Sequence, residues 1–142
     1  MATTASITLA SDVSGDPVNV SKQATFFKSG STNDLDQTNG LNRVHLRSVT
    51  NKTLLAANAE GNDLAAKVYI INKATDSTTY LTVTINAQTI GKLYAGDWML
   101  MPWSQTDTSA SIEVAATNWT SSKGDIPVEY ALFHEDTDFL TN

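Results

Sequence analysis

The chain has no cysteine and few charged residues, and both shortages limit what it can do. The absence of cysteine among 142 residues excludes disulfides and thiolate chemistry, and it fits a protein made in a reducing cytoplasm. Charged residues make up 17% of the chain, below the roughly 25% typical of globular proteins. Serine, threonine and asparagine are abundant instead, and threonine suits the solvent face of a strand. The composition therefore favours strands over helices.

Positive charge and long apolar runs are also scarce. Nine lysines and arginines stand against fifteen carboxylates, which gives a formal net charge of −6. Nucleic-acid binding depends on clustered lysine and arginine, so no nucleic-acid partner is expected. No run of about 20 apolar residues is present, and the first ten residues lack the basic and apolar regions of a secretory signal. We therefore expect no membrane association and no export by the usual signal.

The chain does contain a series of short segments in which apolar and polar residues alternate. The alternation is clearest between Lys67 and His134, and a period of two residues is typical of β-strands. Leu81–Ile85, Ile112–Ala116 and Val128–Leu132 are examples. Strands at regular spacing, joined by polar turns and without amphipathic helices, predict an all-β chain. The predicted fold is an antiparallel β-sandwich with jelly-roll-like connections.

One domain with an extended segment at its start is predicted. Residues 1–20 are small, polar and weakly patterned, and we expect them to form an extended N-terminal arm. Such an arm buries too little apolar surface to offset the entropy of ordering it, so it is either mobile or held by a neighbour. Residues 21–142 are expected to form the β-sandwich domain, beginning with a core strand at Gln23–Lys28 and ending in a short acidic tail.

Three local features are predicted within the domain. Lys67–Asn72 and Thr79–Asn86 are expected to pair as an antiparallel hairpin across the polar connection between them. Helix propensity gathers only at Leu54–Ala59 and Asp63–Ala66, which predicts one short helical turn there. Pro102 cannot donate to a β-ladder, so it should end its strand or place that strand at the edge of a sheet.

No grouping of residues suited to catalysis or metal binding stands out. Asp34–Gly40 resembles a calcium loop in composition, but its residue order does not fit the EF-hand pattern, and we expect an ordinary polar turn. His134 and the acids that follow it lie on a terminus, which is a poor platform for zinc. Neither a Gly-x-Ser-x-Gly elbow nor a phosphate-binding glycine-rich loop is present. We expect a non-enzymatic protein without metal or cofactor. A hydrolase with an unrecognised polar site is kept as an alternative, because the members of a catalytic triad need not be neighbours in sequence.

A basic stripe is the first candidate contact site. Arg43, His45 and Arg47 project from the same side of a predicted strand, and the two arginines are the only ones in the chain. Arginine makes planar bidentate contacts with carboxylates, so the stripe is a candidate site for an acidic partner surface. The alternative is an ordinary solvated sheet face.

The segment Leu93–Trp103 is the second candidate contact site. Both of its alternating sets are bulky and apolar, so the strand needs cover on both faces. The core covers one face, and either a loop or another subunit covers the other. Tyr94, Trp98, Met101 and Trp103 are the candidate oligomer or partner contacts. Exposed tryptophan and tyrosine side chains can alternatively stack on sugar rings.

The segment Ile90–Trp103, followed by Ile112–Ala116 and Val128–Phe133, resembles small virion structural proteins of tailed bacteriophages. In those proteins a strand, a turn of the Gly-Asp or Gly-Glu kind and an apolar strand precede a Val-Glu-Tyr strand. The resemblance implies a capsid decoration, or cement, protein that binds and stabilises the shell of the major capsid protein or contacts other virion proteins. It implies location in the virion after synthesis in the host cytoplasm, and a homo-oligomer with a trimer as the favoured form. A carbohydrate-binding or receptor-binding module of a phage tail is the alternative.

Overall fold

The computed structural model describes residues 4–11, 18–25, 37–48, 50–56, 65–104 and 109–134. Within these ranges the chain forms antiparallel β-strands and one short 3-10 helix at Ser121–Lys123. In chain order the strands are β1 (Thr4–Ser11), β2 (Val18–Thr25), β3 (Gln37–Thr38), β4 (Asn42–Leu46), β5 (Lys52–Ala56), β6 (Ala65–Asn72), β7 (Tyr80–Ile85), β8 (Gln88–Tyr94), β9 (Trp98–Ser104), β10 (Ser111–Thr117) and β11 (Ile126–His134). The predicted all-β, antiparallel class is confirmed.

Strands β3 to β11 form two sheets that pack against each other. The four-stranded sheet has the order β5-β10-β7-β8, and the five-stranded sheet has the order β3-β11-β6-β9, with β4 also paired to β11. Strand β11 is central in its sheet, because β6 lies on one side while β4 and β3 share the other. This arrangement confirms the predicted sandwich, whereas the jelly-roll connectivity is not confirmed.

The core lies between the inward faces of the two sheets, and the alternating pattern builds it. Strands β6, β7, β10 and β11 contribute every second residue, and both sheets supply members of one buried cluster. The fully buried aliphatic side chains are Val68, Ile70, Leu81, Val83, Ile112, Val114 and Val128. All but one of them are β-branched, a shape that packs well on a pleated surface. Full burial of such a side chain contributes about 1.5–3 kcal/mol.

The connection after β6 crosses from one sheet to the other, so the predicted hairpin between Lys67–Asn72 and Thr79–Asn86 is wrong. Strand β6 pairs with β11 and β9, whereas β7 pairs with β10 and β8. The intervening residues 73–79 are long enough to span the roughly 10 Å between packed sheets. Strand β7 instead forms a hairpin with β8 through Asn86 and Ala87, whose φ angles are 47° and 64°, as a two-residue type I′ turn requires.

Asn72 holds the turn that carries the chain from β8 in one sheet to β9 in the other. Its buried side chain donates to the Leu93 carbonyl at 2.9 Å and accepts from the Ala74 N–H at 2.9 Å. Its backbone accepts from the Gly96 N–H at 2.8 Å and donates to the Asp97 carbonyl at 3.0 Å. Gly96 has φ +86°, a region that favours glycine. The buried side chain and the backbone of Asn72 together thus satisfy four polar groups of this corner.

The predicted helical turn is wrong where the structure describes it. Leu54–Ala56 belong to strand β5, and Ala65 and Ala66 belong to β6. Strand β5 pairs with β10 and buries Leu54, and this tertiary pairing outweighs the weak local preference of leucine and alanine for helix. The prediction for Pro102 is confirmed, because β9 has a partner on one side only among the described strands.

Strands β1 and β2 form a two-stranded sheet of their own. They pair in register from Thr4 opposite Thr25 to Ser11 opposite Val18, and no other described strand pairs with them. The described part of residues 1–20 is thus folded back as a hairpin, and the predicted extended arm is not confirmed. Residues 26–28 of the predicted first core strand lie outside the described residues, as does the acidic tail after His134.

A candidate protein-docking face

The outward face of the four-stranded sheet is polar. In its two central strands, β7 and β10, the outward residues include Tyr80, Thr82, Thr84, Glu113, Ala115 and Thr117. The hydroxyls of Thr82 and Thr117 are hydrogen-bonded across the strands at 3.0 Å. The Lys92 ammonium lies 4.6 Å from the centre of the Tyr80 ring, a cation–π contact that is accessible to solvent. This face is chemically suited to water.

The outward face of the five-stranded sheet is largely apolar. Its outward residues in β6, β9 and β11 are mainly apolar and include Tyr69, Ile71, Trp98, Leu100, Pro102, Ala131 and Phe133, a set that we name the outer apolar face. Lys67 and Glu129 point to the same side. Trp98 pairs with Ile71, and Leu100 pairs with Tyr69. The rings of Tyr69 and Trp98 lie 6.4 Å apart, and Trp98 is 51% exposed. A contiguous apolar surface of this kind marks a contact site.

Strand β9 supplies the most exposed large apolar side chains of this face, Trp98 and Leu100. Both alternating sets of β9 are apolar, so an apolar set faces outward whichever set faces the core. Met99, Met101 and Trp103 point inward and pack with the core, and Trp103 is only 3% exposed. Trp98 and Leu100 point outward. Of the residues predicted as contacts, Trp98 thus lies at the surface, whereas Met101 and Trp103 serve the core. Alternation alone does not say which set faces inward when both sets are bulky.

Tyr94 lies on the other sheet from Trp98. It pairs with Tyr80 across β8 and β7, with ring centres 5.1 Å apart, and it is 44% exposed. The turn after β8 carries the chain around the edge of the sandwich before Trp98 begins β9. The structure therefore does not bring these two predicted contact residues onto one face.

Arg43 and Glu129 form an ion pair at the β4 border of the outer apolar face. Arg43 Nε donates to Glu129 Oε1 at 3.0 Å, the Nη2 group of Arg43 contacts the same oxygen, and Lys73 Nζ lies 4.0 Å from Oε2. The hydrogen bond from Arg43 lowers the pKa of Glu129 below its ordinary value, and the charge of Lys73 acts in the same direction, while burial opposes both. Glu129 is thus held as a carboxylate within a mainly apolar sheet surface.

The predicted basic stripe lies on one side of β4 and already has acidic partners within the chain. Arg47 Nε donates to Asp125 Oδ2 at 2.9 Å, and His45 Nδ1 lies 3.8 Å from the same oxygen. The side chains of Arg43 and Arg47 remain 59% and 75% exposed, and such surface pairs contribute roughly 0–1 kcal/mol. Sequence reasoning missed these partners because Asp125 and Glu129 are distant from β4 along the chain.

Neither a metal-binding group nor a membrane-crossing helix is found in the described ranges. No set of three or more histidine and carboxylate side chains is placed there to hold a metal ion. No helix there is both long and apolar enough to cross a membrane. Asp34 and Asp36 of the calcium-like segment lie outside these ranges. Comparison with known proteins identifies no family, because no family model matches the chain and no curated protein matches it either.

Proposed function

We propose that this protein is a non-enzymatic structural subunit that docks through its outer apolar face onto another polypeptide, and that it decorates the capsid of a tailed bacteriophage. The observation that carries the docking is the contrast between the two outward faces of one sandwich, because large apolar side chains dominate only the outward sides of β6 and β9 in the five-stranded sheet. The resemblance of residues 67–134 to small virion proteins supports the virion role. The proposed partners are further copies of this chain and the major capsid protein.

The composition of the outer apolar face suits a protein partner. Protein interfaces are enriched in tryptophan, tyrosine and arginine near their centres, and here Trp98 and Tyr69 lie side by side while Arg43 stands at the border. A large aromatic side chain buries about 150–250 Å² when it is covered. Covering Trp98 and the 37% exposed Leu100 would therefore remove a substantial apolar area from water.

Glycan binding is less well supported by the surroundings of Trp98. A sugar site combines a stacking ring with a few polar groups that fix the orientation of the ligand. The outward neighbours of Trp98 are Leu100 on its own strand, Ile71, its partner on β6, and the ring of Tyr69, and none of them carries a charge or an amide group. Of the charged groups on this side, Glu129 is already paired with Arg43, and Lys67 lies four residues before Ile71 on β6. A flat apolar surface of this kind fits a second β-sheet or another protein surface.

A double substitution tests the docking face. We expect Trp98→Ser combined with Leu100→Ser to keep the wild-type circular dichroism spectrum but to lose self-association in analytical ultracentrifugation. The same variant should lose co-sedimentation with phage shells. Tyr94→Ser is the matched control, because it removes an exposed aromatic side chain from the other sheet and should leave both properties unchanged.

Three results would count against the proposal. A wild-type chain that stays monomeric across a dilution series and does not attach to shells would exclude the docking role. A glycan-array signal that disappears in Trp98→Ser would support the tail-module alternative instead. Electron microscopy of particles with and without the chain should show density lost from the head, and density lost from the tail would contradict the decoration role.

The mass of the wild-type assembly also gives its copy number, for which a trimer is the expectation.

A further inference from the structure

The β1–β2 hairpin has one apolar face and one polar face. Residues directly opposite each other point to the same side, and Leu9 opposes Val20 while Ser11 opposes Val18. One side therefore carries Ala5, Ile7, Leu9, Val18 and Val20, a set that we name the hairpin apolar face, and Ser11 and Lys22 lie on the same side. The opposite side carries Thr4, Ser6, Thr8, Ala10, Asn19, Ser21 and Gln23. This separation of apolar from polar side chains is the pattern of a sheet with one buried face.

The hairpin apolar face is uncovered in the single chain. Ile7 is 39% exposed, Leu9 52% and Val18 50%, and no other described strand pairs with β1 or β2. A lone two-stranded hairpin is at best marginally stable in water. The hairpin therefore needs a surface to pack on, and that surface has to be apolar and about as long as the hairpin itself.

The outer apolar face meets both requirements. Eight residues per strand give a ribbon of about 27 Å at about 3.4 Å per residue. Strands β6 and β11 beneath the outer apolar face have eight and nine residues. Because Leu9 and Trp98 are exposed at the same time, the chain does not cover one of these surfaces with the other. A second copy can cover both.

We propose that the β1–β2 hairpin of one copy packs its apolar face onto the outer apolar face of a second copy of this chain. The inference rests on the proposed docking face and names its occupant. Lys22 is the only charged side chain in the described part of the hairpin, and it lies on the apolar side opposite Ile7. Its long stem can pack in the contact while the ammonium group reaches water at the edge. The polar side of the hairpin then becomes the new exterior, with the same hydroxyl-rich chemistry as the other outward face of the sandwich.

The tether permits this exchange between copies. Strand β2 ends at Thr25 and β3 begins at Gln37, so residues 26–36 separate the hairpin from the sandwich. A segment of that length reaches at most about 40 Å when fully extended. It joins the sandwich beside Phe133, which pairs with Thr38, at one end of the outer apolar face. The hairpin is thus anchored at one end of the outer apolar face of its own chain. We propose that it covers the same face on a neighbouring copy.

Disulfide trapping tests the contact directly, because the wild-type chain has no cysteine. Leu9→Cys and Leu100→Cys chains of different mass are mixed, oxidised and analysed by mass spectrometry without reductant. A mixed disulfide between the two chains is expected. Two control mixtures each move one cysteine to a polar face, namely Thr8→Cys with Leu100→Cys and Leu9→Cys with Thr82→Cys. Each should give at least about tenfold less of the mixed product, since its two thiols do not face each other.

Substitution of the hairpin distinguishes this inference from the proposed function. Ile7→Ser combined with Leu9→Ser should weaken self-association by at least about tenfold, while Thr8→Ala on the polar side should not. If the hairpin variant associates like wild type but Trp98→Ser with Leu100→Ser does not, the hairpin inference fails and the docking face stands. If a chain carrying both Leu9→Cys and Leu100→Cys forms only an internal disulfide, the hairpin covers its own sandwich and the exchange between copies is excluded.

Discussion

Single residues determine the backbone strain in tight turns, and Ala87 is the clearest case. It follows Asn86 in the two-residue turn between β7 and β8, and both have positive φ. Asparagine tolerates this region of backbone space, whereas alanine is disfavoured there by its Cβ atom. Type I′ turns strongly prefer Asn-Gly at these two positions. The chain has Asn-Ala instead, so the turn holds a correctable local strain.

Replacing Ala87 with glycine should therefore stabilise the protein. We expect Ala87→Gly to raise the free energy of unfolding by about 0.5–1 kcal/mol, because relief of the positive-φ strain exceeds the entropy cost of glycine. Urea unfolding followed by tryptophan fluorescence measures the change. Ala95→Gly is the matched control, since Ala95 lies in the turn before Gly96 without a positive φ and should lose stability. A loss of stability in Ala87→Gly as well would contradict the strain argument.

At the scale of elements, Glu129 joins three parts of the five-stranded sheet. It lies on β11, its main partner Arg43 lies on β4, and Lys73 directly follows β6. The pKa of Glu129 is lowered in the folded chain, chiefly by the hydrogen bond from Arg43. A carboxyl group with a lowered folded pKa stabilises the fold above its unfolded pKa, near 4.3 for glutamate. That contribution is lost as the pH falls through the lower folded pKa.

Glu129→Gln should therefore flatten the acid side of the stability profile. Wild type is expected to lose more stability than the variant between pH 7 and about pH 3, because glutamine has no proton to take up in this range. Urea midpoints measured at several pH values give the two profiles. Arg43→Gln should also flatten the profile, since it removes the main cause of the lowered pKa. Parallel profiles for wild type and Glu129→Gln would show that this ion pair does not contribute to acid sensitivity.

The strands themselves could be predicted from the sequence, but their partners could not. Val68, Val83 and Ile112 alternate with less buried neighbours, and that local period identifies a strand without naming the strand beside it. Pairing depends on contacts between distant segments, such as β11 with β4. The error over the Lys67–Asn72 hairpin and the missed partner of Arg43 have this same cause. In β9 even the orientation was ambiguous, since Trp98 and Trp103 are equally apolar.

At the scale of the whole molecule, the sandwich and the β1–β2 hairpin are separate units of pairing. No described strand of either sheet bonds to β1 or β2, and the sandwich core is made of residues from β4 onward. The stability of the sandwich should therefore not depend on the hairpin, whereas self-association should depend on it.

A truncated chain tests this independence. We expect residues 26–142 to unfold cooperatively with a midpoint close to that of the full chain at low concentration, because no core contact is removed. Thermal unfolding followed by circular dichroism measures the midpoint, and ultracentrifugation of the same samples should show loss of self-association. A truncated chain without a cooperative transition would mean that the hairpin belongs to the folding unit of the sandwich.

The central place of β11 has a consequence for when the chain can fold during its synthesis. Strands β4, β3 and β6 are held together through β11, so the five-stranded sheet stays incomplete until residue 134 has emerged from the ribosome. Until then β4 and β6 lack the strand that lies between them, and their unpaired backbone edges can pair with other chains. Folding should therefore follow translation of this region rather than accompany it, and nascent chains should depend on chaperones until β11 inserts.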